Sequence, residues 1–146
     1  IEKSMLGAAH SMANPLTAKY GTIHGMAVGL SLPWVMKFNA QDIACQKIYA
    51  DFARIIGIVE DKCTDSEGSE QLIGRVQELL KMARLSTYGN GSVFEESAIP
   101  GLAAAAAKQW TAGFNPRTIQ ASDFILLYEQ LFQNYIDCPA AQKGAI

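Results

Sequence analysis

His24-Gly-Met-Ala-Val-Gly-Leu-Ser-Leu-Pro-Trp-Val-Met-Lys-Phe-Asn39 is the stretch that decides the fold. Met26, Val28, Leu30, Leu32 and Val35 cover more than one face at helical spacing, and a helix apolar nearly all round belongs in the middle of a protein. Gly21-Thr-Ile-His24-Gly25 reads as the turn that precedes it, which puts His24 at the helix start, and Pro33 predicts a bend before the helix ends near Asn39. Other helices must then wrap this one.

They are legible on both sides. Residues 2–16, rich in Ala and Met, predict a helix that Pro15 kinks or stops, because proline lacks the backbone donor and disfavours helical geometry at Asn14. Residues 41–58 are amphipathic, with Ala44, Ile48, Phe52 and Ile55 on the stripe expected to face the core. A solvated loop follows at residues 60–69, in which Asp65 and Ser66 are the candidate caps of a helix running to about residue 85 on Leu72, Val76, Leu79 and Ala83. Ser86-Thr-Tyr-Gly-Asn-Gly-Ser92 is turn-rich. Pro100 opens a short helix through Ala103–Ala107, whose small side chains permit a close helix neighbour. From Ser122 the last helix sets Phe124, Tyr128, Leu131 and Tyr135 on one stripe, thickened by Ile125 and Phe132. No window alternates like a strand. The expected fold is all-α, a bundle-like single domain over residues 1–146 with about six helices.

Composition narrows the function. Hydrophobic residues make up 49% and charged residues 18% of 146, with a net charge of −2 and no basic patch, which argues against nucleic acid or an anionic membrane surface. No apolar run reaches the roughly 20 residues that cross a bilayer. The three cysteines, Cys45, Cys63 and Cys138, are odd in number and widely spaced, which suits reduced thiols in a cytoplasmic protein. The chain opens on Ile1 in sequence already reading as helix, which suggests a cut and a preceding domain.

The chemistry concentrates in the only two histidines, His10 and His24, 14 residues apart (24 − 10). Neutral imidazole is the commonest protein ligand for transition metals, yet a catalytic site needs at least three protein ligands. Two histidines make half a site; by spacing alone, packing or surface roles are the commoner explanation. Asn14 lies four residues after His10 and shares its helical face. Trp34 and Trp110 read as core, Glu95 and Glu96 as solvated surface, and Gly89-Asn-Gly91 is no phosphate loop because no strand precedes it.

Ser4-Met-Leu-Gly-Ala-Ala-His10-Ser-Met-Ala-Asn14-Pro, then His24-Gly, Leu32-Pro33 and Asn39, resembles the second domain of the iron-containing (group III) alcohol dehydrogenases. Those carry Gly-x-x-His-x-x-x-His-x-x-Gly, then His-Gly, Leu-Pro and a closing Asn. Ile99-Pro-Gly-Leu-Ala and Asn115-Pro-Arg117 are similar to later segments of that family. The resemblance rests on residues 4–39 and 99–132 and is thin between them. It implies a dehydroquinate synthase-like C-terminal helical domain whose N-terminal nucleotide-binding domain lies outside this chain. It also implies that His10 and His24 hold a divalent metal, Fe2+ or else Zn2+, with the remaining ligands upstream. NAD or NADP would be bound mainly by the other domain, the substrate would be a small alcohol or aldehyde, and the assembly a homo-oligomer. The chain alone is then expected to be inactive. Glycerol dehydrogenase and dehydroquinate synthase share the two-histidine logic, and a non-catalytic helical assembly module with a decayed metal site is the reading from another class.

Asn14 departs from the family, where many relatives place a second histidine able to pass on the alcohol's proton. An amide cannot take up a proton at physiological pH, so Asn14 implies either a changed pocket and proton path or a simple polar replacement. Thr111 is expected to line the same pocket. For Asn115-Pro-Arg117 the favoured expectation is a turn in which Arg117 bonds carbonyls, ahead of a place in the pocket.

Overall fold

The structure, a computed structural model, describes residues 6–85 and 94–136. Among them are six α-helices and no strand: α1 (Ala8–Tyr20), α2 (His24–Asn39), α3 (Ile43–Ile55), α4 (Asp65–Met82), α5 (Ile99–Ala107) and α6 (Ala121–Ile136). Short 3-10 turns at Glu96–Ala98 and Trp110–Phe114 flank α5. The expected glycine-rich turn, Tyr135 and Cys138 fall outside what is described of backbone or side chain.

α1 packs against both α2 and α5, α2 reaches α4 and α6, and α5 pairs with α6. Met12, Leu16, Ala27, Leu102, Phe124, Tyr128 and Phe132 form the main core, and Phe94 stacks on Phe132 at 4.7 Å. The Tyr128 hydroxyl donates to the Met12 carbonyl at 2.8 Å, which satisfies the one polar atom this core tyrosine brings in. Burial pushes its phenol pKa well up.

Helix α2 has the expected bounds and continues through Pro33 to Asn39. Helix α1 does not stop at Pro15: it runs on to Tyr20 and ends at Gly21, whose φ of 66° permits the left-handed cap that returns its N–H to the Thr17 carbonyl. Pro15 and Leu16 are buried, so tertiary packing outweighs the lost ladder bond.

Four expectations are corrected by the structure. The Ile48, Phe52 and Ile55 stripe of α3 faces outward, at 64%, 52% and 80% exposure, and Cys45, Ala50 and Ala53 are buried instead. Close approach explains the choice, because a Cβ on Gly68 of α4 would lie 2.9 Å from Ala50 Cβ. Helix α4 is capped by Thr64, neither Asp65 nor Ser66: Thr64 and Glu67 form a reciprocal capping box. Leu72 is buried but Leu79 and Ala83 further along its stripe are exposed. Finally, Trp110 is 58% exposed and packs edge-on to Phe114, whereas Trp34 is half-buried beneath Lys37.

Candidate functional site

His10 stands in the first turn of α1 and His24 is the first residue of α2. Their rings come together with centroids 5.5 Å apart and planes tilted at 51°. His10 is half-buried and His24 exposed. Burial, and secondarily the neighbouring His24, hold the His10 pKa below its ordinary value, which favours the neutral, ligating imidazole. Among the described residues no group of three His, Cys, Asp or Glu gathers, so the donor set fits half of a divalent metal site.

The start of α1 is set from far along the chain. Gly7, the N-cap position, offers no side chain, and Asn115 Oδ1 accepts the Ala8 N–H at 3.4 Å in its place. A Cβ on Gly7 would sit 3.3 Å from that oxygen. Asn115 also pairs with buried Asn39 at the end of α2 and donates to the Arg117 carbonyl at 2.7 Å. Arg117 donates to the Phe38 carbonyl at 2.6 Å and lies 3.9 Å over the Phe38 ring, the turn-and-carbonyl arrangement expected of Asn115-Pro-Arg117.

One turn beyond His10, Asn14 Nδ2 donates to Gln109 Oε1 at 2.9 Å. Thr111 is 2% exposed and its hydroxyl meets that of fully buried Ser11 at 2.7 Å. These two pairs stitch one face of α1 to residues 109–111. Sequence reasoning named Asn14 and Thr111, quoted Asn39 in the family motif without giving it a role, and missed Gln109 and Ser11; each partner lies 76 or more residues away, beyond any local periodicity.

Known proteins share this arrangement of sequence and fold. The model of the Fe-containing alcohol dehydrogenase family, C-terminal, matches residues 1–132. Lactaldehyde reductase of Escherichia coli (strain K12) is 34% identical over 123 residues, covering 84% of this chain and 32% of the relative. 1-Propanol dehydrogenase of Citrobacter freundii is 32% identical over 130 residues, 86% of this chain and 35% of the relative. A crystal structure of 1,3-propanediol oxidoreductase superposes with a TM-score of 0.78 at 27% identity, over 87% of this chain and 33% of that one. The chain therefore spans about a third of the length of the curated relatives it matches.

Proposed function

The chain belongs to the Fe-containing alcohol dehydrogenase family, and from that membership we propose that it supplies two metal-holding imidazoles, His10 and His24, to an NAD(P)-dependent alcohol dehydrogenase or aldehyde reductase. The observation that carries this is the 5.5 Å approach of the two rings across the α1–α2 pair. The remaining ligands and the dinucleotide site would come from sequence outside this chain, and Fe2+ is the favoured metal, with Zn2+ the alternative.

A divalent cation held there would lower the pKa of a substrate hydroxyl and so ease its oxidation, in which two electrons leave as hydride to the nicotinamide and a proton goes to water. The chain's own residues orient and enclose. Asn115 fixes the first turn of α1, and with it His10, while the buried Ser11–Thr111 bond ties the same helix to residue 111. Asn14 presents an amide beside His10, which can hold a hydroxyl but cannot carry its proton.

The test is metal content and alcohol-dependent NAD(P)H formation in the enzyme that carries this chain, as wild type, His10→Ala and His24→Ala. Each variant should lose bound metal at least tenfold, the scale on which even a ligand's supporting partner acts, and lose turnover with it. Unchanged metal content in both variants would sink the proposal. The exposed apolar stripe of α3 favours a second reading, an assembly module, which predicts no stoichiometric metal in the wild type.

A further inference from the structure

We propose that the outward face of α3 pairs with the same face of a second copy of this chain, antiparallel about a two-fold axis at the level of Tyr49. The pairing is independent of the metal site and accounts for the apolar stripe that the described residues leave uncovered.

Ile43, Ile48, Phe52, Ile55 and Ile56 are all exposed on this one helix and its C-cap. With Leu32 of α2 and with Leu72 and Val76 of α4, the middle of the stripe also walls a groove of about 590 Å³. A lone subunit rarely keeps a contiguous apolar patch of more than a few hundred Å² in water. A stable pair buries about 800 Å² on each subunit, and the groove extends the apolar surface beyond α3 toward that area.

The order of residues along the helix decides which partner fits. Ile43, Lys47, Asp51 and Ile55 follow at intervals of four, the spacing of one ridge on a helix surface. From either end the row runs apolar, charged, charged, apolar, and reversal exchanges the cation for the anion. A two-fold axis midway along it sets Ile43 against the second copy's Ile55 and Lys47 against the second copy's Asp51 at once, as an isologous contact requires. Ridges of this spacing laid side by side cross at about −50°, the commonest helix packing. Ile48, Phe52 and Ile56 form the adjacent ridge, so an apolar row flanks the charges on each side. Lys47 and Asp51 already bond within the chain at 2.8 Å, which holds both at the middle of the face; two copies bring four alternating charges together. An unrelated apolar helix would leave those charges unanswered, whereas a second copy answers both.

Sedimentation velocity of the enzyme that carries this chain, over a dilution series, reads the pairing. The wild type should associate reversibly. Lys47→Asp sets a like charge against the second copy's Asp51, and Asp51→Lys sets one against its Lys47, so each variant alone should associate at least about tenfold more weakly. Mixed in equal amounts, the two should associate as tightly as wild type, because one copy then brings two anions and the other two cations. A role for the Lys47–Asp51 bond inside the chain cannot give that recovery, since neither variant regains the bond. Ile55→Lys should weaken association alone and in either mixture, while its exposure leaves the subunit folded. In Asp51→Lys, Arg54 keeps Asp65 and the Cys63 carbonyl as partners, and thermal melts on dilute protein establish that every variant is folded. A wild type that is a single copy at every concentration, single variants that associate as tightly as wild type, or a mixture no tighter than its components overturns the inference. Failure of the metal-site reading would show separately, as metal content insensitive to His10 and His24.

Discussion

Asn39 and Asn115 hold each other side chain to side chain across 76 residues: Asn115 Nδ2 donates to Asn39 Oδ1 at 2.7 Å, and Asn39 Nδ2 returns a longer bond of 3.4 Å. Both are buried, and the Asn115 oxygen also takes the Ala8 N–H, so one amide joins the end of α2 to the start of α1. Asn115→Ala should destabilise the fold by about 1–3 kcal/mol, since it leaves Asn39 Oδ1 without its donor and uncaps α1. Urea unfolding of both proteins checks this, and a loss below about 0.5 kcal/mol, the range of neutral surface changes, would show that the pair is not structural.

Gly68 and Gly74 share helix α4 and should respond oppositely to alanine. A Cβ at Gly68 meets Ala50 Cβ at 2.9 Å and its Cα at 3.1 Å, whereas one at Gly74 meets nothing within 4 Å. Gly68→Ala should cost about 1–3 kcal/mol by overpacking. Gly74→Ala should add about 0.5–1 kcal/mol through helix propensity. The same unfolding experiment reads both, and Ala50→Gly should recover part of the Gly68→Ala loss.

The stripe that looked like the core face of α3 should tolerate charge. Ile55 is 80% exposed, so Ile55→Lys should change stability by no more than about 0.5 kcal/mol. Leu72→Ala, at a position 5% exposed, should cost about 2–5 kcal/mol. Comparable losses for the two would mean that α3 is turned the other way.

That stripe also marks how far the sequence could be read. Helix α2 was legible to both ends because its turn, apolar run and closing Asn39 are contiguous. The approach of His10 and His24 was legible because both fall in the one contiguous stretch, residues 4–39, that carries the family resemblance. Periodicity locates an apolar face without saying what meets it; on α3 the small residues Ala50 and Ala53 won because only they let α4 approach. Thr64 and Glu67 were readable as a capping box, a local pattern passed over for the Asp and Ser that follow. The roles of Gln109, Asn39 and Ser11 were not readable, since each matters through a partner that only the fold brings near.

Asp42 caps α3 by accepting the Cys45 N–H at 3.0 Å, and that bond holds its pKa below the ordinary carboxylate value. A depressed folded pKa stabilises the protein above the unfolded value of about 3.9 and loses that contribution as pH falls through the folded one. Asp42→Asn keeps a capping acceptor without a titrating charge, so the acid limb of melting temperature against pH should become shallower while the neutral limb stays close to wild type. Asp51 and Glu67, also depressed by their partners, keep the limb from vanishing. An unchanged limb in Asp42→Asn would place the folded-state advantage in those two alone.

Asn14→His tests whether position 14 takes part in proton transfer. A neutral imidazole there can donate one ring N–H to Gln109 Oε1, the acceptor Asn14 now uses, and keep its other nitrogen as a base. It adds a group titrating near about 6.5 beside the substrate, four residues from His10 on one face. A positioned base contributes up to about 10²–10⁴-fold where proton removal limits the rate, and little where hydride transfer or cofactor release does. In the enzyme that carries this chain, Asn14→His should therefore change the pH profile of kcat/KM for 1-propanol more than it changes metal content. Superimposable pH profiles at equal metal content would remove position 14 from proton transfer altogether and leave Asn14 a structural polar replacement bonded to Gln109.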